Sequence, residues 1–188
     1  DEYLDGRLSD IEDLVDRAVE IVNRLLTFAR REPLETEVVS LNKMAAEGFR
    51  LGRAMIPANI EFDIGIGEEP MAVVGNESQL HQIIMNLLSN AVDAVELESH
   101  PQISFTLTQA QPAKKHQVGQ VERGDCRCAK LSVSDNGCGI EPDALDLVFD
   151  PFYTTKETGK GTGLGLASVF GITRTHHGVA EVDSALHA

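Results

Sequence analysis

Four glycines fall within seven positions, at Gly159, Gly161, Gly163 and Gly165, and apolar residues follow at once in GKGTGLGLAS (159–168). Glycine loses more backbone freedom on folding than any other residue, so such a run is poor material for a helix or strand interior. It has to be a loop, and the residues after it predict a helix over about 163–176. Two readings satisfy that constraint. One is a flexible hinge; the other is a cradle, in which backbone amides at a helix N-terminus meet an anion. No Gly-Lys-Ser/Thr closes the run and it lacks the Gly-x-Gly-x-x-Gly spacing, so neither common phosphate-loop signature applies.

The chain before it divides in two. Leu4, Leu8, Ile11, Val15, Ala18, Val22, Leu25 and Ala29 are spaced 4, 3, 4, 3, 4, 3 and 4 apart, a heptad seam. Leu14, Ile21 and Phe28 widen the stripe as a bundle helix requires, and Pro33 ends it. Residues 1–33 therefore predict one long helix that needs a partner helix, from a second copy or from its own globular part. From residue 38 the texture changes to a strand, a turn and a helix (38–56), then an alternating strand in IEFDIGI (60–66). A helix over 76–97 follows, with Leu80, Ile83, Ile84, Leu87, Leu88, Ala91 and Val95 as its buried face. QISFTLTQ (102–109) and AKLSVSD (129–135) predict an antiparallel pair joined by a long exposed loop at 110–128, and VAEVDS (179–184) a last strand. This order predicts an α+β fold, a two-layer sandwich with helices on one face of a mixed or mostly antiparallel sheet.

The 188 residues carry a formal charge of −14, which would repel a nucleic-acid backbone and excludes that class of partner. Any anion must instead be held by local backbone dipoles, a few lysines or a metal ion. The three cysteines, Cys126, Cys128 and Cys138, lack a second pair at zinc spacing and predict free thiols in a reducing, cytoplasmic setting. No apolar run reaches the roughly 18–20 residues of a membrane span. Because the chain opens at Asp1, it is expected to be a piece of a longer protein whose other segments would supply any membrane anchor.

Three stretches carry chemistry. Asn86, Asn90 and Asp93 share one face of the 76–97 helix, opposite its apolar stripe. Carboxamide oxygens suit Mg²⁺, although a polar outer face needs no such role. SVSDNGCGI (132–140) ends a strand on Asp135 before Gly137 and Gly139. That is turn chemistry, but the second glycine would also let a flat ligand approach, while a buried Asp135 accepts a hydrogen bond from its amine. Finally, FDPFYTTK (149–156) joins Phe149, Phe152 and Tyr153 to a polar stretch that enters the glycine run, with Lys156 and Lys160 flanking it.

In this order and spacing the four stretches resemble the catalytic, ATP-binding domain of sensor histidine kinases, in the superfamily that includes gyrase, mismatch-repair and heat-shock chaperone ATPases. HQIIMNLLSNAVDA (81–94) looks like the asparagine box, DNGCGI (135–140) the first glycine box, FDPFYTTK the phenylalanine box and GKGTGLGLA (159–167) the second glycine box. The resemblance covers about 38–184 and implies a Bergerat-type ATP-binding fold over 34–188, its last strand missing. LVDRAVEIVNRLLTFARRE (14–32) is similar to the second helix of the dimerisation and histidine-phosphotransfer bundle, which implies a homodimer. By position, Asn90 and Asn86 would hold Mg²⁺, Asp93 would lie near the nucleotide and Asp135 would read the adenine amino group. Gly137, Gly139 and Ile140 would line the base, Phe149 and Phe152 would anchor a lid, and Thr154, Thr155 and Lys156 would face the phosphates. Gly161, Thr162, Gly163 and Gly165 would line the triphosphate, with Leu164 and Leu166 packing beneath. The hydrolase relatives carry a Glu one turn before the metal-holding Asn; Asn86 there cannot act as a base, so transfer to a protein histidine, for relay to a response-regulator receiver domain, is the implied reaction. A hydrolase or a nucleotide-independent docking module of the same fold are the alternatives. The acceptor histidine is expected outside this chain, and His176-His177-Gly178, where the family has His-Gly-Gly, is expected to tighten or distort the turn that follows the last helix.

Overall fold

The computed structural model describes residues 35–110, 127–156 and 161–186. The predicted bundle helix at 1–33 and nearly all of the predicted loop at 110–128 lie outside the described residues.

β1 (Glu37–Ser40) runs directly into α1 (Leu41–Met55), without the separate turn expected there. Asn42, in the first turn of α1, makes that junction: its Nδ2 donates to the carbonyls of Gly67 and Glu69 at 2.9 and 3.1 Å, and its Oδ1 accepts from Met71 N at 2.7 Å. The strap so held leads into β3 (Ala72–Gly75), which pairs antiparallel with β1. β2 (Glu61–Ile66), β4 (Gln102–Ala110) and β5 (Cys128–Asp135) form a second sheet in the order β2-β4-β5, parallel then antiparallel. Alternation along β4 points Ile103, Phe105 and Leu107, at most 2% exposed, to one face. Ser104 and Thr106 point to the other.

Against the apolar face lie α1 and α2 (Glu77–Ala94), completing the expected two-layer α+β sandwich. Asn76 caps α2, its side chain accepting from Gln79 N at 3.0 Å. Leu80, Ile84, Leu88, Ala91 and Val95 are buried as expected, whereas Ile83 and Leu87 are only half-buried at the stripe's edge. α3 (Gly165–Thr175) packs on α2 and buries Ala167, Ser168, Val169 and Ile172. No helix among the described residues is long and apolar enough to cross a membrane.

Two readings of the C-terminal stretch are corrected. VAEVDS (179–184) is in no strand; β4 is the one partner of β5 among the described residues. Its alternation is a local property, whereas a strand exists only beside a neighbour that takes up its backbone groups. The turn after α3 is also not distorted. His177 N donates to Arg174 O at 3.1 Å and Gly178 N to Thr173 O at 2.8 Å, a regular Schellman end. The cost falls on His177, which takes the left-handed position at φ 56° that glycine usually fills. His177→Gly should therefore raise stability by about 0.5–1 kcal/mol, the relief of left-handed strain less the added freedom of the unfolded chain. A higher urea midpoint at unchanged slope is the expected reading.

Candidate functional site

The 3.6-residue period of α2 that buries Leu88 and Ala91 turns Asn86, Asn90 and Asp93 away from the sheet. The start of α3 comes against Asn90: a Cβ built on Gly165 would lie 3.5 Å from Asn90 Nδ2. Leu164, the N-cap of α3, offers no side-chain cap, so the first-turn amides that every helix leaves unsatisfied are not met by a capping side chain. Among the described residues the buried Asn86 Nδ2 has no hydrogen-bond partner, and a donor left so costs about 1–3 kcal/mol. Unspent donors and carboxamide oxygens thus collect where two helices meet, a chemistry suited to phosphate and a hard cation.

The flanking loops are built by close backbone approach. A Cβ on Gly137 would sit 2.4 Å from Ala94 O, which also accepts from Cys138 N at 3.1 Å. The first glycine-rich loop is thereby seated on the C-terminal end of α2. Gly139 abuts the backbone of Ala185, and Ile140 N donates to Ser184 Oγ at 3.0 Å. Both glycines, expected to give a flat base room, give room first to the chain itself. Asp135 ends β5 exposed rather than buried, one carboxylate oxygen accepting from Gly137 N at 3.0 Å. Asn136, which sequence reasoning treated only as a turn residue, stitches the loop to β4. Its Oδ1 accepts from Gln102 N at 2.7 Å and its Nδ2 donates to His100 O at 2.8 Å.

On the other side, Phe149 stacks on Phe170 of α3 at 5.2 Å between ring centres. Phe152 does not anchor in the same way: its ring is 60% exposed and its backbone is left-handed at φ 70°. Phe152 N donates to Gly163 O at 2.9 Å, and Gly163, at φ 63°, lies so close that any Cβ would fall 2.3 Å from the Phe152 carbonyl carbon. Thr154 Oγ1 accepts from Lys156 N at 3.2 Å, and Thr155 is exposed. Gly161 abuts Thr154 and Lys156, Thr162 and Leu166 are half-buried, and Leu164 is buried beneath them. Lys156, expected to reach for phosphates, instead donates from Nζ to Asp93 Oδ2. Both side chains are a third or more exposed, so the pair is worth about 0–1 kcal/mol and is readily exchanged. Gly159 and Lys160 lie outside the described residues. A concavity of about 430 Å³ between Phe149, Pro151, Phe170 and Arg174 includes none of the α2 polar residues.

A mixed α/β domain with the Asn90 carboxamide against a glycine-rich helix start without a side-chain cap defines an ATP-binding domain, and the chain belongs to the family of histidine kinase-, DNA gyrase B- and HSP90-like ATPases, which it matches over residues 75–187. The sensor kinase CckA of Brucella abortus is 33% identical over 177 residues, covering 94% of this chain and 18% of that one. The mycobacterial sensor histidine kinase MprB has the same fold at 26% identity and a TM-score of 0.59, over 76% of this chain and 81% of that one. A structure of histidine kinase ThkA in complex with response regulator protein TrrA shares the fold at 22% identity and a TM-score of 0.63, over 92% of this chain and 44% of that one. The chain spans less than half the length of the curated relatives it matches.

Because Gly137 lies in backbone contact with Ala94, Gly137→Ala should destabilise the domain by about 1–3 kcal/mol, as overpacking does. A lower denaturation midpoint together with faster amide exchange at Cys138 is the expected pair of readings.

Proposed function

We propose that this domain binds ATP with Mg²⁺ and positions the γ-phosphoryl group for transfer to a histidine on a bundle helix of the parent protein, for relay to a response regulator. The observation that carries the reading is the Asn90 carboxamide, set against the start of α3, with Asn86 one turn before it on the same face of α2. Mg²⁺, when bound, would neutralise charge on the phosphate oxygens, with the Asn90 and Asn86 carboxamides as its protein ligands. The residues present fit that group through carboxamide oxygens: Asn86 and Asn90 lie one turn apart on α2, and Asn90 Oδ1 lies 3.7 Å from where a Cβ on Gly165 would stand. The first-turn amides of α3 would take the phosphates, and Lys156 would exchange the Asp93 carboxylate for them. Asp135, at the strand end beside the loop of Gly137, Gly139 and Ile140, would accept from the exocyclic amine of adenine.

Asn86 also selects the reaction. An amide cannot take a proton from water, so in-line attack by water lacks its base, while transfer to a well-placed imidazole needs mainly alignment and charge stabilisation. Residues 1–33 would then be the second helix of a dimeric phosphotransfer bundle and 34–188 the catalytic domain, on the cytoplasmic side of its parent. The response-regulator partner follows from the same reading and from the ThkA–TrrA complex.

Calorimetric titration with ADP, with and without Mg²⁺, tests this. Binding should weaken when Mg²⁺ is removed and in Asn90→Ala; a folded chain that ignores ADP would make the fold a docking module instead. Asn86→Leu should leave stability unchanged or raised, because it replaces an unpaired buried amide with an apolar group of the same size, yet should abolish the Mg²⁺ dependence.

A further inference from the structure

His176 stands beyond the end of α3, about as far from the glycine-rich turn as that helix allows, and both of its ring nitrogens are engaged. Nδ1 lies 2.8 Å from Ile172 O, one turn back in α3, and Nε2 lies 3.1 Å from Asn76 N. The roles are forced, since a carbonyl only accepts and a backbone N–H only donates. The ring is therefore neutral, with its proton on Nδ1 and its Nε2 lone pair on Asn76 N–H. It also fills a gap made for it: a Cβ on Gly75 would fall 2.4 Å from His176 Cδ2. Asn76 is the same residue whose side chain caps α2.

We infer that His176 is a positioning residue for the nucleotide site, an inference that rests on the function proposed above. α2 and α3 run antiparallel, with Asn90 beside Gly165 at one end and Asn76 beside His176 at the other. Asn76 and Asn90 are separated by about 21 Å of helix, at about 1.5 Å per residue. Between these ends α3 buries mostly small groups, Ala167, Ser168 and Val169 with Ile172, which make shallow ridges. Such a contact resists separation better than sliding. The hydrogen bond and wedge at His176 remove that freedom, and because a helix of 11 residues is stiff, a shift at its end is delivered to its beginning. The start of α3, and with it the amides facing Asn90, is thus set from the far end of α2.

The test uses the whole 188-residue chain. A long-range ¹H–¹⁵N spectrum should show one neutral imidazole with its proton on Nδ1 that is lost in His176→Phe; an Nε2-protonated ring overturns the geometry. His176→Phe keeps a planar ring without the acceptor and should weaken Mg·ADP binding about tenfold, the usual scale of coupling between sites. His176→Gln, whose Oε1 can take the place of Nε2, should recover most of that loss, and Gly75→Ala should copy the Phe variant. Phe and Gln variants that are folded and bind Mg·ADP like the parent overturn the positioning role while leaving the proposed function intact. If the Phe variant does not fold, the Gln and Gly75→Ala titrations decide in the same sense. A parent chain that binds no Mg·ADP sinks the proposed function, and the positioning role with it.

Discussion

Everything at the site depends on α2 serving two surfaces at once. Leu80, Ile84, Leu88, Ala91 and Val95 close over Phe105 and Leu107 of the sheet, and that burial fixes the rotation of the helix. Each of the leucine, isoleucine and valine side chains is worth about 1.5–3 kcal/mol, so the stripe together outweighs by several-fold the cost of one orphaned amide. Asn86 can therefore be held in a place where its own N–H finds no partner. A rotation of α2 by one residue, about 100°, would bury the carboxamides and expose the leucines. The polar face is accurate because the apolar face is strongly determined.

The glycines act in the same spirit. At Gly137 and Gly163 the nearest atoms are backbone, of Ala94 and Phe152 respectively. One contact seats the first glycine-rich loop on the end of α2, and the other closes the base of the segment that precedes α3. The choice between hinge and cradle is thus a false opposition at these two positions. The glycines fix loop walls by backbone contact, and on the proposed function those walls would form the cradle. Phe152 shows the cost of that placement: a left-handed aromatic residue is strained by about 1–3 kcal/mol and persists because its N–H bonds Gly163 O.

What was legible in the sequence follows the range of the interactions involved. α2 and the β4–β5 pair announce themselves through long, unbroken periodicity, and their polar residues could be placed on faces at once. β3 did not, because four residues carry too little pattern and its partner β1 lies more than thirty positions away in the chain. VAEVDS carried the pattern and lacks the partner among the described residues. Asp135 looked buried because it ends a strand, but among the described residues β5 lies at the sheet's edge and its end is exposed. Lys156 was legible as a charge beside the glycine run; that Asp93, 63 positions earlier, would claim it was not. His176 and Asn76, 100 positions apart, are the extreme case.

The charge of the chain adds a last constraint on how such a site can work. A net −14 opposes the approach of any nucleotide, yet salt screens charges beyond about 10 Å, so only the near field decides binding. In that near field Lys156 is held by Asp93 only in an exposed, readily exchanged pair, and the first turn of α3 contributes positive dipole character that its N-cap side chain does not use. On the proposed function, an anion entering there would meet amides set by the packing of α3 on α2. The acidic surface limits which anions reach the site unaided. On the proposed function, the geometry of α2 and α3 would determine which of them, once arrived with a cation, can stay.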